Sequence, residues 1–372
     1  MTKVRRADTA ETRKSTRPVL IASRRTITEH TTYLQRLLLG LADESITTAL
    51  VCPPSCSLER LTPVPADVFT HPLIDLPLME GVGIETLAVH LEKFRPTVLH
   101  CLCESRATLV RRLAERLEVP YVLAVNSLER KVARLSVSPT HCASIIVPAE
   151  TIRVRTAKFH VRYADRIRQI NMGTFAGAEP VCFSDPSRLS SIVVAHPLDH
   201  VSHFESLFKA TGELIGDGHE FMTVIMGRGR AEHRLRRLLV EYGLSEVITI
   251  VPVLDAWRAA VAAGDIFLQP LPNAAFSVAL LEAMGLGAAV IACSGGVDDL
   301  IVPNQTALVF EPDSERGLRD SLARLLGDHN FARRLASTAQ TYVAGRYPVS
   351  GMVAATLETY MEAQRNAPAS AR

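Results

Sequence analysis

Aromatic residues are scarce in this chain, at 5% of 372 positions with a single tryptophan, so its cores must be built largely from aliphatic side chains. No stretch approaches about 18 uncharged apolar residues, which excludes a conventional membrane-spanning helix. The N-terminus also lacks the compact apolar run and small-residue cleavage site of a secretory signal. A soluble, cytoplasmic protein is the expectation. Charge of one sign is not in excess: 41 Lys and Arg against 39 Asp and Glu leave a net +2 and no bulk electrostatic reason to expect a nucleic acid. The seven cysteines, at 52, 56, 101, 103, 142, 182 and 293, form no disulfide framework and have no partners at zinc-site spacing. Reduced thiols and no metal are expected.

What is present is an ordinary globular composition, 47% hydrophobic and 22% charged, over a length that supports two cores of roughly 150–190 residues each. Residues 1–17 hold six basic and two acidic side chains and read as a flexible basic tail, solvated rather than held by a membrane surface or nucleic-acid contact, with peripheral membrane contact left open. After it, short apolar runs alternate with helical periodicity: Val19–Ser23, His30–Leu41, Ile46–Cys52, Ile84–Phe94, Thr97–Cys101, Ala107–Leu117, Tyr121–Val125, Ser144–Val147 and Ile167–Ile170. Apolar runs without clean alternation are what strands covered on both faces show, so the sheet should be parallel. Periodicity lapses over 172–190, the best linker, and restarts from Ser191 through Ala292. Ser202-His203-Phe204-Glu205 has the pattern of a helix-opening capping box. Three helical stretches end the chain, Glu315–Leu326, Asn330–Val343 and Val353–Ala363, with Pro348 and Gly351 breaking the last two apart. The expected organisation is tail 1–17, an N-terminal domain 18–180, a C-terminal domain 181–345, and a closing helix and tail 346–372.

Candidate chemistry gathers in the second domain. Gly227-Arg228-Gly229-Arg230 follows a strand and opens a helix, where bare backbone could approach a bulky ligand and the arginines favour an anion. It lacks the third glycine of a dinucleotide fingerprint, so a plain tight turn is the alternative. Glu282 is the one acid on an otherwise apolar helix, either solvent-facing or a double acceptor for a pair of sugar hydroxyls. Ser294-Gly295-Gly296 is a glycine turn whose amides could form an anion nest.

The stretch from Phe276 through Glu282-Ala283-Met284-Gly285 to Ser294-Gly295-Gly296-Val297 resembles the donor-site signature of the retaining glycosyltransferases of group 1, family 4. The order of Gly227 and Gly229, Gln269-Pro270-Leu271-Pro272, Glu282, Gly295-Gly296 and Val309-Phe310 is similar to that family's second domain. The likeness extends over about residues 18–365. It implies a GT-B architecture: two Rossmann-like parallel-sheet domains facing a cleft, with the C-terminal helix packing back on the first domain. It also implies a nucleotide-sugar donor as substrate rather than a resident cofactor, no metal, and a glycan, lipid or small-molecule acceptor. By resemblance Glu282 engages the donor ribose, Gly227 and Gly229 underlie the nucleotide, and Gly295-Gly296 is the turn beyond it.

The family's reactive positions read differently here. The first glutamate of its pair is Ala274, and the glycine three positions later is Ser277. The diphosphate-clamping arginine and lysine fall at Pro197 and Ser202, and the active-site histidine falls at Asn126. The opening glycine-rich loop is Ser23-Arg24-Arg25-Thr26, with Arg24, Arg25 and Arg228 as further candidates for phosphate. His196, His200 and His203 are open to three readings: loop histidines, an imidazolium facing phosphate, or a metal site. His100 ends a strand and reads as structural or acceptor-side. The resemblance therefore implies either hexosyl transfer with retention or a catalytically impaired relative that binds nucleotides or glycans, with the oligomeric state undetermined.

Overall fold

The computed structural model describes residues 15–54, 56, 58–62, 64–71, 80–252 and 257–367. Most of the basic tail, residues 253–256 and 368–372 lie outside the described residues. The chain divides into two compact units, one running to Gly173 and resuming at Val349, the other spanning Thr174–Pro348.

Unit 1 holds a seven-stranded sheet: β1 (Pro18–Ile21), β2 (Ala49–Cys52), β3 (Asp67–Thr70), β4 (Val98–Cys101), β5 (Tyr121–Ala124), β6 (Cys142–Val147) and β7 (Ile167–Gln169). Their order is β3-β2-β1-β4-β5-β6-β7, and every pairing is parallel. All residues of β1, β2, β4 and β5 are buried, which is why these strands read as continuous apolar runs. Helices α1 (Arg24–Glu29), α2 (Thr31–Asp43), α3 (Glu80–Phe94), α4 (Ala107–Leu117) and α5 (Glu150–Phe159) supply the connections.

Unit 2 repeats the plan with β8 (Ser190–Ala195), β9 (Phe221–Met226), β10 (Ile248–Val251), β11 (Ile266–Gln269), β12 (Ala289–Cys293) and β13 (Leu308–Phe310), ordered β10-β9-β8-β11-β12-β13 and all parallel. Its helices are α6 (Ser202–Gly216), α7 (Glu232–Glu241), α8 (Trp257–Ala262), α9 (Val278–Leu286), α10 (Glu315–Gly327) and α11 (His329–Arg346). Phe204, Phe208 and Leu214 on one side of α6 are fully buried against Ile192, Val194 and Ile225. Each such side chain contributes roughly 1.5–3 kcal/mol of burial. The two expected Rossmann-like parallel-sheet domains are therefore present.

The final helix, α12 (Val349–Arg365), belongs to unit 1. Gly40 of α2 lies under Val353, where any Cβ would overlap the valine side chain. Deeper in, His100 Nδ1 meets Tyr360 Oη at 2.6 Å, both side chains fully buried. His100 is thus a structural tie between β4 and α12. Burial pushes its pKa down to about 3, because water no longer solvates the charged ring.

Several local expectations are corrected. Ser202 does not cap α6: Val201 holds the cap position without a side-chain bond, and Ser202 is already helical. Backbone bonds from His203 to His200 and from Phe204 to Val201 start the winding one residue early, leaving the serine past the cap position. Gly351 does not break the last two helices; it lies within α12, and the interruption falls at Tyr347-Pro348. Ser23-Arg24-Arg25-Thr26 is not a loop but a helix start, in which Ser23 and Thr26 form a reciprocal capping box.

Candidate functional site

In unit 2 the winding direction of the sheet reverses between β8 and β11. Open parallel sheets bind ligands outside the carboxyl ends of their strands at such a point. The sequence-derived candidates of the second domain all lie on the segments that leave β8, β9, β11 and β12, or on the helices these segments enter.

The loop after β8 continues the sheet beyond its end. His196 N donates to Met226 O, Leu198 N to Arg228 O, and Ala231 N to Leu198 O. This pairing presses residues 196–199 onto 227–229 so closely that a Cβ on Gly227 would overlap the His196 carbonyl, and one on Gly229 the Leu198 carbonyl. These glycines thus give way to the chain's own backbone, a use that neither the nucleotide reading nor the simple-turn reading anticipates. Arg228 is exposed, and its side chain has no hydrogen bond or ion pair among the described residues. Arg230 instead reaches Asp199 O at 3.3 Å and His200 Nε2 at 3.1 Å.

The three histidines do come together. His196 Nε2 lies 3.4 Å from His203 Nδ1, and the rings of His200 and His203 are 5.1 Å apart. Desolvation, then the neighbouring His203, pushes His196 down to about 4. Burial and His200 lower His203 as well. His196 and His203 are thus biased toward the neutral form by their surroundings, which does not favour the imidazolium reading for these two in the unliganded protein. Among the described residues, no group of three or more His, Cys, Asp or Glu is placed to hold a metal ion.

After β11 the chain runs through Pro270 to Ser277, whose hydroxyl accepts from Leu280 N and caps α9. One turn further, Glu282 is completely buried, which removes the solvent-facing alternative. Its Oε1 accepts from Thr174 Oγ1 at 2.8 Å, and its Oε2 accepts from Arg258 Nε at 2.5 Å. Arg258 was not singled out from sequence; an Arg on a short amphipathic helix has no motif to mark it. Beyond β12, Gly295 takes a left-handed φ of 99°, and a Cβ on Gly296 would overlap the Asn273 backbone. The nest these glycines form is not vacant: Gly295 N donates to Asp298 Oδ2 at 2.9 Å and Gly296 N to Asp298 Oδ1 at 3.3 Å. The carboxylate two residues on supplies the anion itself.

Gln269, the last residue of β11, is 6% exposed, and neither end of its amide has a hydrogen-bond partner among the described residues. It stands at the reversal point, where an unmet donor and acceptor are a ready contact for a polar ligand. The family comparison drew attention to the Gln-Pro step only as a landmark.

Ala274, Pro197 and Ser202 are exposed. In unit 1, Asn126 is buried at the end of β5, where Nδ2 donates to Leu102 O at 2.9 Å. Arg25 is committed to Glu29 at 2.7 Å and Glu129 at 2.9 Å, which removes it as an unpaired phosphate ligand. Arg24 lies beside it in α1.

Residues 192–328 match the family model described as Glycosyl transferases group 1. The chain is 27% identical over 149 residues to the alpha-D-kanosaminyltransferase of Streptomyces kanamyceticus, covering 39% of each chain. It is 29% identical over 147 residues to the D-inositol 3-phosphate glycosyltransferase of Streptomyces bingchenggensis, covering 37% of this chain and 31% of that one. These matches span well under half the length of either relative. Across nearly the whole chain the fold is shared with solved GT-B glycosyltransferases. One from Rickettsia africae gives a TM-score of 0.76 at 13% identity, covering 94% of this chain and 98% of that one. Anabaena Alr3699/HepE, solved with UDP and glucose, gives 0.75 at 14%, covering 92% and 98%. The second unit is glycosyltransferase-like in both sequence and fold.

Proposed function

We propose that unit 2 binds a nucleotide-sugar donor at the carboxyl ends of β8, β9, β11 and β12, and that the protein transfers a hexosyl group from it with retention, as in family 4. The acceptor would be a glycan, a lipid or a small molecule. The observation that carries this reading is the group 1 match over 192–328, which takes in the reversal point of the sheet together with Gln269, Glu282 and the Gly295-Gly296 turn. Gln269 is the side chain we assign to direct ligand contact, and Arg228 is the cation we assign to the phosphates. The reading calls for no metal and no cofactor beyond the donor. Backbone amides, helix ends and basic side chains would neutralise the leaving diphosphate.

Calorimetric titration with uridine, guanosine and adenosine diphosphates and their sugars tests the donor site. Binding of at least one nucleotide below about 1 mM is expected, equivalent to roughly 4 kcal/mol. No binding by any of them would remove the assignment.

A specific observation favours a second reading, a relative that binds nucleotides but turns over poorly. Pro197, Ser202 and Ala274 carry no charge, and each lost charge-assisted contact costs on the order of 3 kcal/mol of transition-state stabilisation. Nucleotide release from labelled sugar donors separates the readings. Turnover of about 1 per second supports the transferase; binding without release supports the impaired relative.

A further inference from the structure

Between residues 126 and 170 the chain carries nine Lys and Arg against three Asp and Glu, a local excess concealed by the near-neutral total. Two of those acids are already engaged: Glu129 holds Lys131 and Arg25, and Glu150 holds Arg153. Arg130, Arg134, Arg155, Lys158 and Arg162 are all exposed and have no carboxylate partner among the described residues. The fold gathers them. Residues 155 and 158 share the outward side of α5, whose inward side is Ile152 and Thr156. Arg162 lies in the short turn of helix that follows α5. His160 Nε2 contacts Val132 O at 2.6 Å, which brings the 130–134 turn beside the end of α5.

Apolar side chains stand among these cations where a solvated helix would place polar ones. Val154 is 55% exposed, Phe159 40% and Val161 74%, and the Arg155 guanidinium lies 5.2 Å over the Phe159 ring. Cations alone would suit any polyanion. Cations interleaved with an exposed phenylalanine and two valines suit an interface that is anionic at its surface and apolar just beneath it.

We propose that the α5 face of unit 1 is a docking surface for anionic lipid bilayers, with Val154, Phe159 and Val161 entering the headgroup region and the five cations meeting lipid phosphates. It goes beyond the donor-site reading and does not depend on it, since none of these residues lies in unit 2.

The test is flotation of the full chain with phosphatidylcholine vesicles, with and without about 30 mol% phosphatidylglycerol. Binding to the anionic vesicles, weakening as salt is raised, and little binding to phosphatidylcholine alone are expected. The triple variant R155E/K158E/R162E should lose about tenfold or more in apparent affinity, and V161S, at a position too exposed to disturb folding, should lose a few-fold. Failure to float with anionic vesicles, or charge-reversal binding equal to wild type, would overturn the proposal. So would a V161S variant indistinguishable from wild type, or tighter capture by a single-stranded RNA oligonucleotide than by the vesicles. Each of the last two results would indicate a purely electrostatic patch.

Discussion

Replacing Glu282 by Gln changes one buried charge and almost no volume, so it isolates what the carboxylate contributes. The side chain is 0% exposed and its two oxygens serve different donors, Thr174 Oγ1 at 2.8 Å and Arg258 Nε at 2.5 Å. A glutamine can keep its oxygen toward Arg258 and offer its amino group to the threonine hydroxyl, so both contacts survive in neutral form. What is lost is the charge assistance to the guanidinium. Hydrogen bonds to charged groups are worth about 1.5–3 kcal/mol. Arg258 is 37% exposed, so water offsets part of that loss, and we expect a cost of about 1–2 kcal/mol in the unliganded protein. For a cooperative unit of about 175 residues, each kcal/mol moves Tm by roughly 2–4 °C, so the melt should fall by about 2–8 °C. Glu282→Ala, which strands both donors, should cost about 3 kcal/mol or more. Scanning calorimetry of Glu282→Gln, Arg258→Met and the double variant measures the coupling directly. A Glu282→Gln melt within about 1 °C of wild type, or strictly additive single variants, would refute the reasoning that Glu282 and Arg258 stabilise the fold as a coupled charged pair.

Gly227→Ala and Gly229→Ala should each destabilise by about 1–3 kcal/mol, because their Cβ atoms must displace the 196–199 backbone; a denaturant midpoint equal to wild type would show that the loops separate freely. Gln269→Leu should stabilise the unliganded protein by about 1 kcal/mol, since it removes two unpaired buried polar atoms, and should weaken nucleotide binding about tenfold. A fall in Tm would mean that the amide is already satisfied. His100 and His196 have folded pKa values of about 3 and about 4, both below the unfolded value of 6.5, so the unfolded chain binds more protons. Their contribution to stability is therefore complete above pH 6.5 and is lost as pH falls from there toward 3–4. Denaturant midpoints should drop between pH 7 and pH 5, and His100→Gln should flatten that dependence; an unchanged slope in the variant would contradict it.

Most of the sheet was legible because the strands buried on both faces announce themselves as apolar runs, as Val19–Ile21 and Ala289–Cys293 do. What escaped were elements whose stabilising contacts are few. β3 is an edge strand with three of its four residues exposed, so Asp67–Thr70 carries no apolar signature. The sequence of α5, ETIRVRTAKF, turns only Ile152 and Thr156 inward and reads as a charged connection. The failed capping box shows the limit of a local motif: Ser202 has the right neighbours, but the preceding loop, held by Leu198 to both Arg228 and Ala231, starts the helix at the wrong phase for its hydroxyl. Glu282 stands out in the sequence as the one acid on an apolar helix, yet its partners lie 24 and 108 positions away, beyond the reach of any pattern.

Those partners change what a ligand must do. The features that make this region attractive to an anion, a helix start, a glycine nest and a buried carboxylate able to take two hydroxyls, are each satisfied within the chain by Ser277, Asp298 and the Thr174–Arg258 pair. A phosphate using the Gly295-Gly296 amides has to exchange with the Asp298 carboxylate, whose release to solvent forfeits two charge-assisted bonds of roughly 1.5–3 kcal/mol each. Gln269 is in the opposite position. Its amide has been desolvated without compensation, and a ligand that pairs with it regains about 1–3 kcal/mol that folding left unrecovered. On the proposed donor-site reading, affinity is a balance between an internal carboxylate that competes and an orphaned amide that attracts. Asp298→Asn should therefore tighten binding of a nucleoside diphosphate, while Gln269→Leu loosens it. A titration in which Asp298→Asn binds more weakly than wild type would show that the carboxylate helps to build the site and does not compete for it.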